Sequence, residues 1–289
     1  MVYLKLFLTA VFWGGTFIAG RTVVQELGPY SAAFLRFLLA SLLLGFLTIR
    51  REKRLPGIDR RQIVPIILLG LTGVFLYNVF FFSGLRLIHA GRAALIIANN
   101  PIFITLLSAI FLKERLSPLR ALGVLLSVSG AIVVISRGSP ASLFQGGFGW
   151  GEAAILGCVG SWGTYTLIGR HVINRLSPLT AVTAASLVGT ILLLPPALGE
   201  GLLRQVSGMT GVGILCLLYL AICGTVIGFV WYYEGVLQIG PTRAGLFINF
   251  VPVSAVIMAY LILGEPITPS LISGTLLVCT GVYLTNSRK

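Results

Sequence analysis

Charge is what this 289-residue chain has least of: 10% of its residues are Asp, Glu, Lys or Arg, against roughly 25% in a soluble domain. A water-facing surface cannot be built from so few ionic groups, so a soluble globular fold is excluded and lipid is the main solvent. Acids are scarcest: 8 carboxylates stand against 21 Lys and Arg, and Asp59 is the single aspartate. It lies between apolar runs, and His89 and His171 lie at their ends. An intramembrane protease or lipid-modifying enzyme, the alternative from another class, therefore finds no Ser/His, paired-Asp or metal constellation at membrane depth. The four cysteines (Cys158, Cys216, Cys223, Cys279) sit inside apolar runs without metal-ligand spacing. They read as packing residues, and neither metal nor cofactor is expected. No polar stretch is long enough to fold as a separate soluble domain. The net charge of +13 is spread over short loops, which argues against a nucleic-acid partner.

What is present is apolar sequence, 56% of the chain, with mean hydropathy +0.98. Runs long enough to span a bilayer number ten: 4–24, 31–49, 62–84, 92–112, 118–136, 150–169, 178–198, 211–234, 243–263 and 269–286. The first could imitate a signal peptide, but its mid-chain copy, described below, argues otherwise. Ser117-Pro118, Ser177-Pro178 and Thr268-Pro269 each place a capping hydroxyl before a proline at the first helical position. With the N-terminus cytoplasmic, 15 Lys and Arg fall on the inner side, 5 on the outer, and Arg36 within a span. Both termini are then inside, and a multi-pass protein of the cytoplasmic membrane follows.

The chain repeats itself. Trp13-Gly14 and Gly20-Arg21 match Trp162-Gly163 and Gly169-Arg170 at an offset of 149, which also pairs Pro29 with Pro178. An offset of 151 pairs Gly73 with Gly224, Gly84 with Gly235, Arg92 with Arg243, Pro101 with Pro252, Glu114 with Glu265, Gly123 with Gly274 and Gly130 with Gly281. Chance apolar similarity would not keep Trp, Arg, Glu, Pro and Gly in one register. Two five-span halves follow, residues 1–137 and 147–289, joined by a loop at 138–146. Five is odd, so the second half enters the membrane inverted, a recurring design of secondary transporters. The expected fold is an all-α integral membrane protein of ten helices.

Asn100-Pro101-Ile102, Leu112-Lys113-Glu114-Arg115-Leu116-Ser117-Pro118 and Gly123 to Gly130 recur as Val251-Pro252-Val253, Leu263-Gly264-Glu265-Pro266-Ile267-Thr268-Pro269 and Gly274 to Gly281. This stretch and its copy closely resemble the EamA-type family of the drug/metabolite transporter superfamily. The resemblance implies a ten-helix basket whose cavity is lined mainly by spans one, three, four, six, eight and nine. It implies a small-molecule substrate, since family members move amino acids, sugars, nucleotide precursors and drugs, and many bacterial ones export. The expectation is a secondary transporter or facilitator for a small polar metabolite, an amino acid or related compound, exporting by alternating access. Its partners are that solute and membrane lipid, as a monomer or homodimer. A structural or assembly role is a third reading, and it predicts a filled core.

Depth selects candidate substrate-binding residues. Trp13, Trp162, Pro101 and Pro252 fall near mid-bilayer at 1.5 Å per residue. Each proline denies a helical bond to the carbonyl four residues back, Ile97 or Ile248, and bends its helix. Asn99, Asn100, Asn249 and Phe250 flank those bends, which serve either a cavity or helix packing alone. Trp13 and Trp162 either line a cavity or fill the pseudo-symmetric centre. Asn78 and Tyr232 are weaker candidates within the aromatic runs of spans three and eight. Arg36 could hold a substrate carboxylate, but span two is expected to be peripheral, so a structural role leads. Glu114 and Glu265 sit in turns and read as loop-bonding residues. Glu152 and Glu234, near opposite span ends, are the possible proton-coupling carboxylates. Gly157, Gly160 and Gly163 recur every three residues and read as a helix-packing face.

Overall fold

A computed structural model describes residues 1–52, 59–111, 118–139, 148–172 and 176–286. Glu114, Ser117 and most of the 138–146 connection lie outside them. Among the described residues every regular element is helical, with no strand. Seven helical stretches among the described residues are long and apolar enough to cross a bilayer: Val2–Val23, Pro29–Glu52, Arg60–Leu87, Pro118–Ile135, Pro178–Gly199, Gly211–Ile239 and Arg243–Leu263. Ala90–Leu106 and Pro269–Thr285 are shorter apolar helices, and Trp150–Val172 is a further helix of 23 residues. Leu42, Phe46, Val64, Leu125, Ile191, Leu215, Leu261 and Leu276 are all exposed on the outside of the bundle. So large an apolar surface is stable only against lipid.

In chain order the helices are α1 (Val2–Val23), α2 (Pro29–Glu52), α3 (Arg60–Leu69), α4 (Tyr77–Leu87), α5 (Ala90–Ile97), α6 (Asn100–Phe111) and α7 (Pro118–Ile135). They continue as α8 (Trp150–Val172), α9 (Pro178–Gly199), α10 (Leu202–Ser207), α11 (Gly211–Ala221), α12 (Gly228–Ile239), α13 (Pro241–Ile248), α14 (Phe250–Leu263) and α15 (Pro269–Asn286). Capping begins two of them as the sequence predicts. Ser177 Oγ accepts from Thr180 N at 3.1 Å and Thr268 Oγ1 from Leu271 N at 3.2 Å. The short α10, between α9 and α11, has no counterpart in the sequence reading.

Two spans are not uniform α-helix. Wider π-helical turns, Gly70–Leu76 and Ile222–Ile227, join α3 to α4 and α11 to α12. The Thr225 hydroxyl there donates to the carbonyl of Leu220, five residues back, at 2.9 Å. π-turns inside α-helices occur frequently at functional sites. Two further spans are interrupted, at Ala98-Asn99 and at Asn249. Pro101 and Pro252 lie just beyond, and proline has no N–H to continue the ladder.

Helices of the N-terminal and C-terminal parts interleave: α7 packs on α15, α2 on α9, α1 on α14 and α4 on α8. Glycine makes the closest crossing possible. A Cβ at Gly281 would lie 2.5 Å from both Gly123 O and Ser127 N, so α7 and α15 touch backbone to backbone.

Candidate functional site

A cavity of about 600 Å³ occupies the middle of the bundle, within the usual range of roughly 300–1,000 Å³ for ligand pockets. Residues from both chain halves line it: Trp13, Thr16, Arg36, Tyr77 and Asn100 from the first, Trp162, Tyr165, Tyr232, Ile248 and Asn249 from the second. It extends toward the bundle end that holds Gly169, Ala181, Gly245 and Val282. Toward the opposite end the cavity is closed off by Phe82, Leu85, Ala90 and Ala93, all at 0% exposure. A separate recess of about 490 Å³, lined by Glu26, Glu200, Arg204 and Gln205, lies at the loops. Its carboxylates are used locally, Glu26 by Thr210 and Glu200 by the Ser31 amide.

The tryptophans form matching halves of the aromatic wall. Trp13 packs on Tyr232 (ring centroids 5.3 Å apart) and Phe229 (5.9 Å), and Trp162 on Tyr165 (5.2 Å) and Tyr77 (5.5 Å). The Trp13 indole N–H donates to the Gly224 carbonyl of a π-turn at 3.0 Å, which fixes the ring in the cavity wall. Asn100 lines the cavity, and its buried Oδ1 has no hydrogen-bond partner among the described residues.

Arg36 is the unexpected member. It is 7% exposed and faces the cavity, although span two was expected to be peripheral. Its Nε donates to Thr225 Oγ1 and its Nη1 to Asn78 Oδ1, both at 3.1 Å. Asn78 is turned for this by its own amide, which donates to Val74 O at 2.8 Å. Both partners thus sit in or directly after a π-turn. The signal for Arg36 was visible in sequence, as the single basic residue placed inside a span. Tyr77, Tyr165 and Thr16 carried no such signal, because their facing depends on helix rotation.

Other candidates fall elsewhere. Asn99 is buried off the cavity wall, its Oδ1 accepting from Ser127 Oγ at 2.8 Å. Phe250 is 47% exposed on the outer surface, edge-on to Phe7. Asn78 reaches the cavity only through Arg36. Pro101 and Pro252 line it beside the interrupted turns. Glu152 and Glu234 do not line it, and both are ion-paired. Glu152 is 2.9 Å from Arg92 Nη1, while Glu234 binds Lys5 Nζ at 2.8 Å and Arg51 Nη2 at 3.0 Å. Each of these carboxylates is thus held by a cation outside the cavity lining. Glu265 binds the amides of Ala90 and Gly91 at 2.8 and 3.1 Å. Glu52 accepts from Thr180, and Asp59 forms a capping box with Gln62. Every carboxylate among the described residues is therefore hydrogen-bonded or ion-paired outside the cavity lining.

The model of the EamA-like transporter family matches residues 1–136 and 149–287. A probable terminal-alkyne amino-acid exporter of Streptantibioticus cattleyicolor is 31% identical, the match covering 98% of this chain and 92% of that protein. An uncharacterized transporter of Archaeoglobus fulgidus is 30% identical over 98% of this chain and 97% of its own. One of Bacillus subtilis is 28% identical over 97% and 92%. A crystal structure superposes with a TM-score of 0.65 at 20% identity, covering 98% of this chain and 96% of that one, a likeness of fold.

Proposed function

Because this chain belongs to the EamA-like transporter family, a family of multi-pass membrane transporters, we propose that it carries a small polar metabolite by alternating access. The solute is an amino acid or related compound, and the direction is export. One observation carries this reading. A mid-bundle cavity, walled by both halves of the chain, runs toward one end and is closed at the other.

Alternating access needs two exchangeable halves, and several contacts support reading the chain as inverted repeats of five spans each. Ser41 and Thr190, 149 residues apart, hydrogen-bond to each other at 3.1 Å. A residue that meets its own repeat copy lies on a two-fold axis. A Cβ at Gly84 would meet Ile155, and one at Gly235 would meet Leu6, each at 2.5 Å. The offsets of 151 and 149 convert the first pair into the second. With both termini cytoplasmic, the cavity runs toward the cytoplasm and the packed end faces outward. A solute entering there is positioned for export when the halves exchange conformations. The filled core of a purely structural protein does not fit the cavity.

The test is flux. Purified protein in liposomes should show saturable movement of at least one compound in a panel of amino acids and related metabolites. Absence of saturable flux across the whole panel, in both directions, would count against transport of this class. Terminal tags probed from either side of intact cells should both be protected from outside.

A further inference from the structure

We propose that Arg36 is the anchor for a substrate carboxylate, and that the transported solute is an organic carboxylate with an apolar or aromatic body. The proposal rests on the transport reading above and adds the chemistry of what is carried.

The argument starts from an unbalanced charge. A guanidinium is cationic at any physiological pH. At 1.5 Å per residue, Arg36 lies about 10 Å along α2 from Pro29, well within the hydrocarbon depth of a bilayer. A buried charge is costly unless an opposite one is supplied. None of the described carboxylates supplies it, since each is bonded elsewhere. Its hydrogen-bond partners, Thr225 and Asn78, are neutral, and so is the Phe37 ring 5.3 Å from the guanidinium carbon. They hold the guanidinium plane without cancelling its charge. Its Nη2 makes no hydrogen bond to any described residue, and the side chain lines the cavity. The planar fork keeps N–H groups that no described residue takes, and carboxylates bind such a fork bidentately.

The rest of the cavity describes the remainder of the solute. Trp13, Trp162, Tyr77 and Tyr232 line the same space and suit an apolar or aromatic body. Asn100 Oδ1 is an unused buried acceptor on the same wall, suited to an ammonium group where the solute has one. Arg36 has no copy in the second half, since the 149-residue offset places Ala185 there. A single anchor in a two-fold frame suits a solute with one charged end.

Matched probes test this. Unfolding temperature of the purified full-length protein is measured against phenylalanine, 3-phenylpropionate, which lacks the ammonium, and phenethylamine, which lacks the carboxylate. Leucine and 4-methylpentanoate are added as aliphatic bodies. Carboxylate probes should raise the unfolding temperature saturably and phenethylamine should not. Arg36→Gln should weaken carboxylate binding on the order of 100-fold, as for lost charge-assisted bonds, and Arg36→Lys should restore part of it. Asn78→Ala and Thr225→Val act through Arg36, so they should narrow the preference for 3-phenylpropionate over phenethylamine. Equal stabilisation by phenethylamine, or undiminished carboxylate binding by folded Arg36→Gln, overturns the assignment. If Arg36→Gln does not fold, the wild-type probe series decides alone. Saturable flux confined to neutral or cationic solutes sinks the anchor and leaves the transporter standing. No flux of any solute class sinks both.

Discussion

Removing the Glu265 carboxylate should loosen the packed end of the cavity. The α14 helix ends at Gly264 in a left-handed conformation (φ 66°), which only glycine adopts without strain. That turn sends the next residue, Glu265, across to the start of α5. His89 precedes α5 without a side-chain cap, so the first amides of the helix depend on Glu265. Its two oxygens take the N–H groups of Ala90 and Gly91, and both bonds are buried. A carboxylate at a helix N-terminus also meets the positive end of the helix dipole. Each bond to a charged group contributes about 1.5–3 kcal/mol, and each buried N–H left without an acceptor costs about 1–3 kcal/mol. Glu265→Ala should therefore cost about 3 kcal/mol locally, which corresponds to roughly 100-fold more frequent opening. Glu265→Gln keeps one acceptor and should cost about half as much. Hydrogen exchange read at Ala90 to Ala93 measures this directly. Exchange should quicken on the order of 100-fold in the alanine variant and about tenfold in the glutamine one. Unchanged protection in Glu265→Ala would refute the clasp.

Further measurements probe the packing and ionic contacts. Gly281→Ala forces a methyl against the Gly123 carbonyl and the Ser127 amide. It should destabilise by about 1–3 kcal/mol, seen as a lowered unfolding temperature. Gly45→Ala meets nothing within 4 Å on α2 and should be neutral or stabilising by up to about 1 kcal/mol; a comparable loss at both sites would remove the close-packing account. Glu234→Gln breaks pairs with the partly exposed Lys5 and Arg51, so its stability cost should stay within about 1 kcal/mol. The pH dependence of its flux should match wild type, and abolition of a proton-driven component would return Glu234 to a coupling role. Trp13→Phe removes the bond to the Gly224 carbonyl and should cost about 1 kcal/mol in thermal stability.

Membrane residence and the helical class were legible in the chain because lipid imposes them through composition. Sparse charge and runs near 20 apolar residues admit few alternatives, since backbone groups in hydrocarbon must be satisfied within a helix. Pro101 and Pro252 likewise announced bends, for lack of an N–H, and the helices break just before them. Which side chains face the cavity was a different question. Asn99 and Asn100 are adjacent, yet one binds Ser127 and the other lines the cavity. About 100° of helix rotation separates neighbours, and hydropathy is blind to it when every face of the helix is apolar. The π-turns were equally hidden, because hydropathy does not register their wider i to i+5 bonding. Arg36 shows both sides: its presence inside a span was plain from the chain. Its aim into the cavity was decided only when α2, α4 and a π-turn brought Asn78 and Thr225 to hold it. Local composition settles where a helix lies; the rotation and crossing of its neighbours settle what each of its faces can do.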